Sequence, residues 1–148
     1  MSRMALPMLA VLFLACGSGG IKPVEIFPED ACSSCRMAFS DYRFASEIID
    51  DKSEVFKFDD IGCMLKYRAK HTEIRIAATF LKNYDTKEWI PYESAVIVET
   101  DVDTPMGSGK VAFADSTKAK EFQSRHRAGK SVSARDGCGM DFCGGEKD

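Results

Sequence analysis

Twice along this chain a short apolar segment runs into an aspartate and then into an amphipathic helix, and that recurrence limits the fold more than any other feature. Phe56-Lys57-Phe58-Asp59-Asp60 and Val111-Ala112-Phe113-Ala114-Asp115 hold equivalent places, strand into helix cap. Around the first copy, residues 42–49 read as a half-buried strand, 50–53 as a polar turn and 55–58 as a second strand. A short helix over 61–67 follows with an acidic start, then a β-branched-rich strand over 74–81. Around the second copy, residues 94–100 and 110–114 are strands. Asp115-Ser116 caps a helix over 117–127 that carries Ala119, Phe122 and His126 on one face; Gly129 ends it and residues 131–133 close the block. Each block reads ββαβ. Two ββαβ units packed together predict one compact α+β domain, which suits 148 residues with 45% hydrophobic and 29% charged positions.

The first fifteen residues read as an address rather than as fold. Met1-Ser2-Arg3 is a short basic end, and residues 4–15 are a nearly uniform apolar run. That run is short of the roughly 20 residues a membrane-spanning helix needs, and fits the core of a signal peptide. Phe13-Leu14-Ala15-Cys16 followed by Gly17-Ser18-Gly19-Gly20 resembles a bacterial lipobox with a flexible tether. Cleavage before Cys16 would leave that residue first and lipidated, and Gly17 favours the outer membrane. The expected organisation is a lipoprotein signal over 1–15, lipidated Cys16 and tether over 16–31, a domain over 32–134, and a Cys/Gly-rich mobile tail over 135–148. The competing reading is an ordinary secretory signal with an incidental cysteine.

Export places the remaining thiols where disulfides form, yet five are left once Cys16 is set aside, an odd number that argues against a simple two-disulfide scaffold. Twenty Lys and Arg against 23 Asp and Glu give a net charge of −3 with no basic stripe, so a nucleic-acid partner is not expected. With only His71 and His126 available, a metal site must be rich in sulfur. Cys32-Ser33-Ser34-Cys35-Arg36-Met37 puts two thiols and a thioether in one irregular segment, and thiolate plus thioether is the donor set that selects Cu(I). Met106, in Pro105-Met106-Gly107-Ser108-Gly109, sits in a glycine turn that offers an apolar side chain no core, and is a further candidate ligand.

These same segments carry a family resemblance. Cys32-Ser33-Ser34-Cys35-Arg36-Met37, Phe58-Asp59-Asp60-Ile61-Gly62-Cys63-Met64-Leu65, Asn83-Tyr84-Asp85 with Trp89-Ile90, Pro105-Met106-Gly107-Ser108-Gly109 and Ala112-Phe113-Ala114 resemble the NosL family. The resemblance implies a lipid-anchored periplasmic copper protein that assists nitrous oxide reductase maturation in denitrification, built from two ββαβ units and similar in fold to part of organomercurial lyase. It implies Cu(I) as the bound ion, with Cys32, Cys35, Met37 and Met106 as ligands. It also implies an apo copper enzyme and its membrane-bound assembly machinery as partners. The family usually carries Gly where Arg36 stands, and an acidic-small pair where this chain has Pro91-Tyr92.

Other readings stand beside this one. No nucleophile–base pair points to an enzyme, although Cys32 and Cys35 match the spacing of a thiol–disulfide oxidoreductase or of a plain disulfide. A structural Cys₄ zinc module would add Cys138 and Cys143 from the tail, which otherwise read as a disulfide or an accessory metal arm. Cys63 and Met64 are expected to pack in the core, as are Tyr84 and Trp89. His126 is expected to be packed or at the surface, and His71 exposed.

Overall fold

The computed structural model describes residues 20–126 and the backbone of residues 131–133. The leader with Cys16, Gly129 and the tail with Cys138 and Cys143 lie outside the described residues. The first unit is β1 (Ser46–Asp50), β2 (Val55–Phe58), α1 (Ile61–Lys70) and β3 (Ile76–Lys82), with β4 (Trp89–Pro91) added at its edge. The second is β5 (Val96–Glu99), β6 (Lys110–Phe113), α2 (Ser116–Arg125) and β7 (Ser131–Ser133). Their antiparallel sheets have the orders β2-β1-β3-β4 and β6-β5-β7, so in both units the first strand lies between the second and the third. The ββαβ repeat is therefore real, and the fold is α+β.

The two helices start by the same device. Asp60 Oδ1 accepts from Gly62 N–H at 2.6 Å, and Asp115 Oδ1 accepts from Thr117 N–H at 2.6 Å, so each aspartate satisfies a donor that the first helical turn leaves open. The phenylalanine two residues before each cap, Phe58 and Phe113, is buried. Phe58 joins Ile48, Ile61, Met64, Leu81, Ile90 and Ile97 in the larger core, and Phe113 joins Phe44, Val98, Val111, Ala119 and Phe122 in the smaller. Each such side chain contributes roughly 1.5–3 kcal/mol on burial. The units are joined where Asn83 pairs with Ala112 and Tyr84 N–H donates to the Ala112 carbonyl at 2.8 Å.

Three details differ from the sequence expectation. Residues 42–44 form a single 3₁₀ turn rather than the start of a strand, because Asp41 Oδ1 takes the Arg43 N–H at 3.0 Å. Strand β1 is buried on both faces instead of one. Its Glu47 lies beneath the incoming chain, where Oε1 accepts from Val24 N–H at 2.9 Å. Strand β4 is three residues long and ends in Pro91, too short to show a period and placed at a sheet edge where proline costs no ladder bond. Tyr84 packs against Phe44, Phe113 and Phe122, and Lys82 Nζ sits 4.2 Å above the Trp89 ring. His126 stacks on Phe122 at 4.2 Å. His71 is half-buried against Tyr67 at the same separation, with Nδ1 3.0 Å from Glu73 Oε1, so it is not simply exposed.

Candidate metal centre

The site begins with a tight turn. Ala31 bridges Ala38, Cys32 N–H donates to the Met37 carbonyl at 2.8 Å, and Arg36 N–H donates to the Cys32 carbonyl at 2.9 Å. Closing this turn puts Arg36 at φ 64°, the left-handed region that favours glycine. Two bonds stitch the turn to edge strand β2: Ser33 N–H to the Lys57 carbonyl at 2.7 Å, and Lys57 N–H to Ser33 Oγ at 3.1 Å. Strand β2 leads directly into Asp59, the Asp60 cap and the first turn of α1, which carries Cys63.

Folding thus converges four side chains. The thiols of Cys32, Cys35 and Cys63 and a carboxylate oxygen of Asp59 all lie within 4.8 Å of one another. Cys32, Cys63 and Asp59 are buried and Cys35 is half-buried; the three cysteines are free thiols. Cys35 Sγ donates to Asp59 Oδ1 at 3.7 Å. Burial pushes the Cys32 thiol up to about 11, against the backbone N–H groups of Cys35, Asp59 and Ser34, which favour its thiolate. Burial, with the neighbouring Cys32, Asp59 and Cys35, drives Cys63 still higher. Both sulfurs therefore keep their protons at neutral pH until a cation replaces them, and loading the site releases protons.

The two methionines lie outside this quartet. Met37 is 55% exposed and Met106 is 41% exposed. Met106 is nevertheless tied to the same helix start: its N–H donates to Asp60 Oδ2 at 3.1 Å, and Thr104 Oγ1 donates to that oxygen at 2.7 Å. The loop turns at Gly107 and Gly109, with φ 66° and 62°. It lies so close to α1 that a Cβ on Gly62 would sit 2.5 Å from Ser108 Cβ. A hollow of about 510 Å³ opens beside it, lined by Gly62, Leu65, Arg68, Tyr92, Met106 and Ser108.

Cys63 is both a core residue, as expected, and a member of the cluster. Sequence reasoning missed Asp59 and this second role of Cys63. The available signal was that one aspartate suffices to cap α1, which left the carboxylate of Asp59 without a task. Cys32 and Cys35 are brought together as their spacing implies.

The fold and the cluster define a small α+β protein with a sulfur-rich site that fits a soft metal ion. The NosL family profile matches residues 23–136, and the chain belongs to the NosL family. Among solved structures it is similar to the copper chaperone NosL from Shewanella denitrificans, at 12% identity and a TM-score of 0.65, over 75% of this chain and 91% of that one. Among curated protein sequences no relative matches.

Proposed function

We propose that the protein is a Cu(I) carrier rather than an enzyme, holding the ion with Cys32, Cys35, Met37 and Met106 and passing it to a copper enzyme. The observation that carries this reading is a cluster of three thiols together with two thioethers left in solvent, at 55% and 41% exposure. Met37 stands two residues from Cys35, and Met106 lies on a loop tied through Asp60 to the start of the helix that carries Cys63. Methionine gains nothing from water, and a thioether is a weak, neutral ligand that a competing sulfur displaces readily. A donor arranged in this way passes Cu(I) by stepwise ligand exchange, with no bond of a substrate made or broken. The hollow beside Met106 gives a partner room to approach. The likeness to a copper chaperone of the same family supports the reading.

The partner we favour is apo nitrous oxide reductase with its membrane-bound assembly machinery. Lipidation of Cys16 would hold the carrier at the periplasmic face of a membrane, the outer one by the choice of Gly17, with residues 16–31 as tether and 32–134 as the copper domain. No helix among the described residues is long and apolar enough to cross a membrane. The oxidoreductase alternative is disfavoured by geometry: Cys32 and Cys35 lie in a turn rather than at a helix N-terminus, and the Cys32 thiol is raised to about 11 rather than lowered.

The test is handover. Cu(I)-loaded protein mixed with the apo enzyme should metallate it faster than Cu(I) held by a chelator of equal affinity. Met106→Ala should slow that step several-fold. Transfer no faster than from the chelator would overturn the carrier reading.

A further inference from the structure

We propose that Ile21, Val24 and Phe27 form an apolar ridge that seats in a lipid surface beside the acyl chains on Cys16, and so fixes how the domain faces the membrane. The inference rests on the lipidation of Cys16 proposed above and adds a contact that acylation alone does not imply.

The ridge follows from the period of the segment that carries it. Residues 21–27 form no helix or strand, Pro23 fixes φ at about −65°, and the preceding Lys22 is thereby kept extended. An extended strap of the polyproline kind repeats every three residues. Exposure repeats in the same way. Pro23 and Ile26 are half-buried, while Ile21, Val24 and Phe27 are 49%, 38% and 47% exposed. Three large apolar side chains therefore stand in one row about 19 Å long, at about 3.1 Å per residue.

The strap is bonded to the domain and is not slack chain. Val24 N–H donates to the buried Glu47 Oε1 at 2.9 Å; Lys57 Nζ donates to the Glu25 carbonyl at 2.8 Å and to Asp30 Oδ2 at 2.6 Å. Lys57 Nζ also lies 5.5 Å from the centre of the Phe27 ring, and the Lys57 backbone holds Ser33 in the cysteine turn. The fold thus fixes the row in place and leaves it uncovered, which is the surface an apolar partner needs.

The chain before the ridge names that partner. Five residue steps separate Cys16 from Ile21, at most about 18 Å of chain whatever its conformation. With Cys16 acylated, Ile21 cannot stand farther than that from the lipid, and a row of this length can lie in the boundary between headgroups and acyl chains. Charge does not drive the contact. Lys22 and Lys57 against Glu25, Glu29 and Asp30 leave one negative charge, so the contact should persist in high salt. Phe27 precedes Cys32 by five residues, so a seated ridge holds the thiol turn near the lipid and sets the side from which a partner meets it.

Tryptophan reporters test the contact. Trp89, the one tryptophan of the chain, is replaced in Trp89→Phe, and either Phe27→Trp or Lys120→Trp is added, the latter at an exposed position of α2. The mature lipoprotein is reconstituted in vesicles of phosphatidylethanolamine and phosphatidylglycerol, with and without acyl chains brominated near the headgroup. Emission from Phe27→Trp should shift to the blue, in high salt as well, and be quenched several-fold more than emission from Lys120→Trp. Equal quenching of the two reporters, or emission that does not move, overturns the proposal. A Phe27→Trp reporter already blue-shifted in the vesicle-free chain starting at Gly17 shows that protein covers the ridge, and overturns it too. A melt shows whether Trp89→Phe folds; if it does not, Trp89 is kept and the emission of the parent is subtracted. The mass of the mature chain reports acylation separately. A bare Cys16 overturns the anchor, and the same reporters in the chain from Gly17, coupled at its amine to a synthetic lipid, then decide the ridge alone.

Discussion

Asp60 holds helix α1 with one carboxylate oxygen and the backbone of Met106 with the other: Oδ1 accepts from Gly62 N–H at 2.6 Å and Oδ2 from Met106 N–H at 3.1 Å. One buried side chain thus fixes a loop of the second unit against the helix of the first, and an exposed thioether gains a defined position relative to the thiols. Burial alone would raise this carboxyl. Hydrogen bonds from Ser108, Thr104 and the backbone of Met106 and Gly62 outweigh that and hold it below the ordinary carboxylate range.

Asp60→Ala removes the cap and strands the buried Thr104 hydroxyl. The expected loss is about 2–4 kcal/mol by urea unfolding, against about 1 kcal/mol for an exposed cap alone. A loss under 1 kcal/mol would mean that the loop is held by other contacts.

Gly62 and Gly107 make a paired test of the same junction. A Cβ on Gly62 would lie 2.5 Å from Ser108 Cβ and 3.0 Å from Asp60 Oδ1, whereas one on Gly107 would meet nothing within 4 Å. Gly62→Ala should cost about 1–3 kcal/mol and push the Met106 loop away from α1. Gly107→Ala, strained only by its positive φ, should cost about 1–2 kcal/mol and leave that loop in contact with α1. Amide exchange at Met106 distinguishes them: faster in Gly62→Ala, near the parent rate in Gly107→Ala.

Arg36 occupies a left-handed conformation, φ 64°, at the corner of the cysteine turn. Relief of about 1–2 kcal/mol of backbone strain in Arg36→Gly exceeds the added freedom of the unfolded chain, which costs about 0.4–1 kcal/mol. Thermal melting should show a stabilisation of up to about 1 kcal/mol. A lowered Tm would show that the arginine side chain makes contacts that matter.

Glu47 sets a pH dependence. Burial pushes its carboxyl up to about 7 from an ordinary 4.5, despite Val24 N–H and the cations Lys57 and Lys82 nearby, and its Oε2 has no hydrogen-bond partner among the described residues. Because the folded state binds this proton more tightly than the unfolded chain does, its contribution is complete below about pH 4.5. It is lost as pH rises toward about 7, a fall on the order of 3 kcal/mol. Glu47→Gln should flatten unfolding free energy against pH over that window. An unchanged slope would assign the pH dependence to another group.

Most of the fold was legible because it is written locally. Alternation in 55–58 and 110–113, each followed by an aspartate whose side chain caps a helix, needs no tertiary information, and the paired units follow from the repeat. The 3₁₀ turn at Tyr42–Phe44 hid behind apolar spacing because a single side chain, Asp41, decides it. Strand β4 is set only by the edge it joins. The site divides in the same way. Cys32, Cys35 and the methionines stand out by type and spacing. Asp59 and Cys63 look like half an acidic helix start and a core thiol until the turn at 32–35 is stitched to β2 and closes over them. No local pattern reports a contact made across 24 residues of chain.

Binding of Cu(I) by this arrangement of sulfur underlies everything proposed for the protein as a carrier. It is tested most directly by an anaerobic Cu(I) titration of the soluble chain starting at Gly17, with thiols reduced and a Cu(I) chelator in competition. Met106→Ala and Cys32→Ser/Cys35→Ser variants would be run alongside. The parent should withdraw about one equivalent of Cu(I) from the chelator, Met106→Ala should bind several-fold more weakly and the double cysteine variant should release the ion. A parent chain that leaves the chelator fully loaded would contradict it.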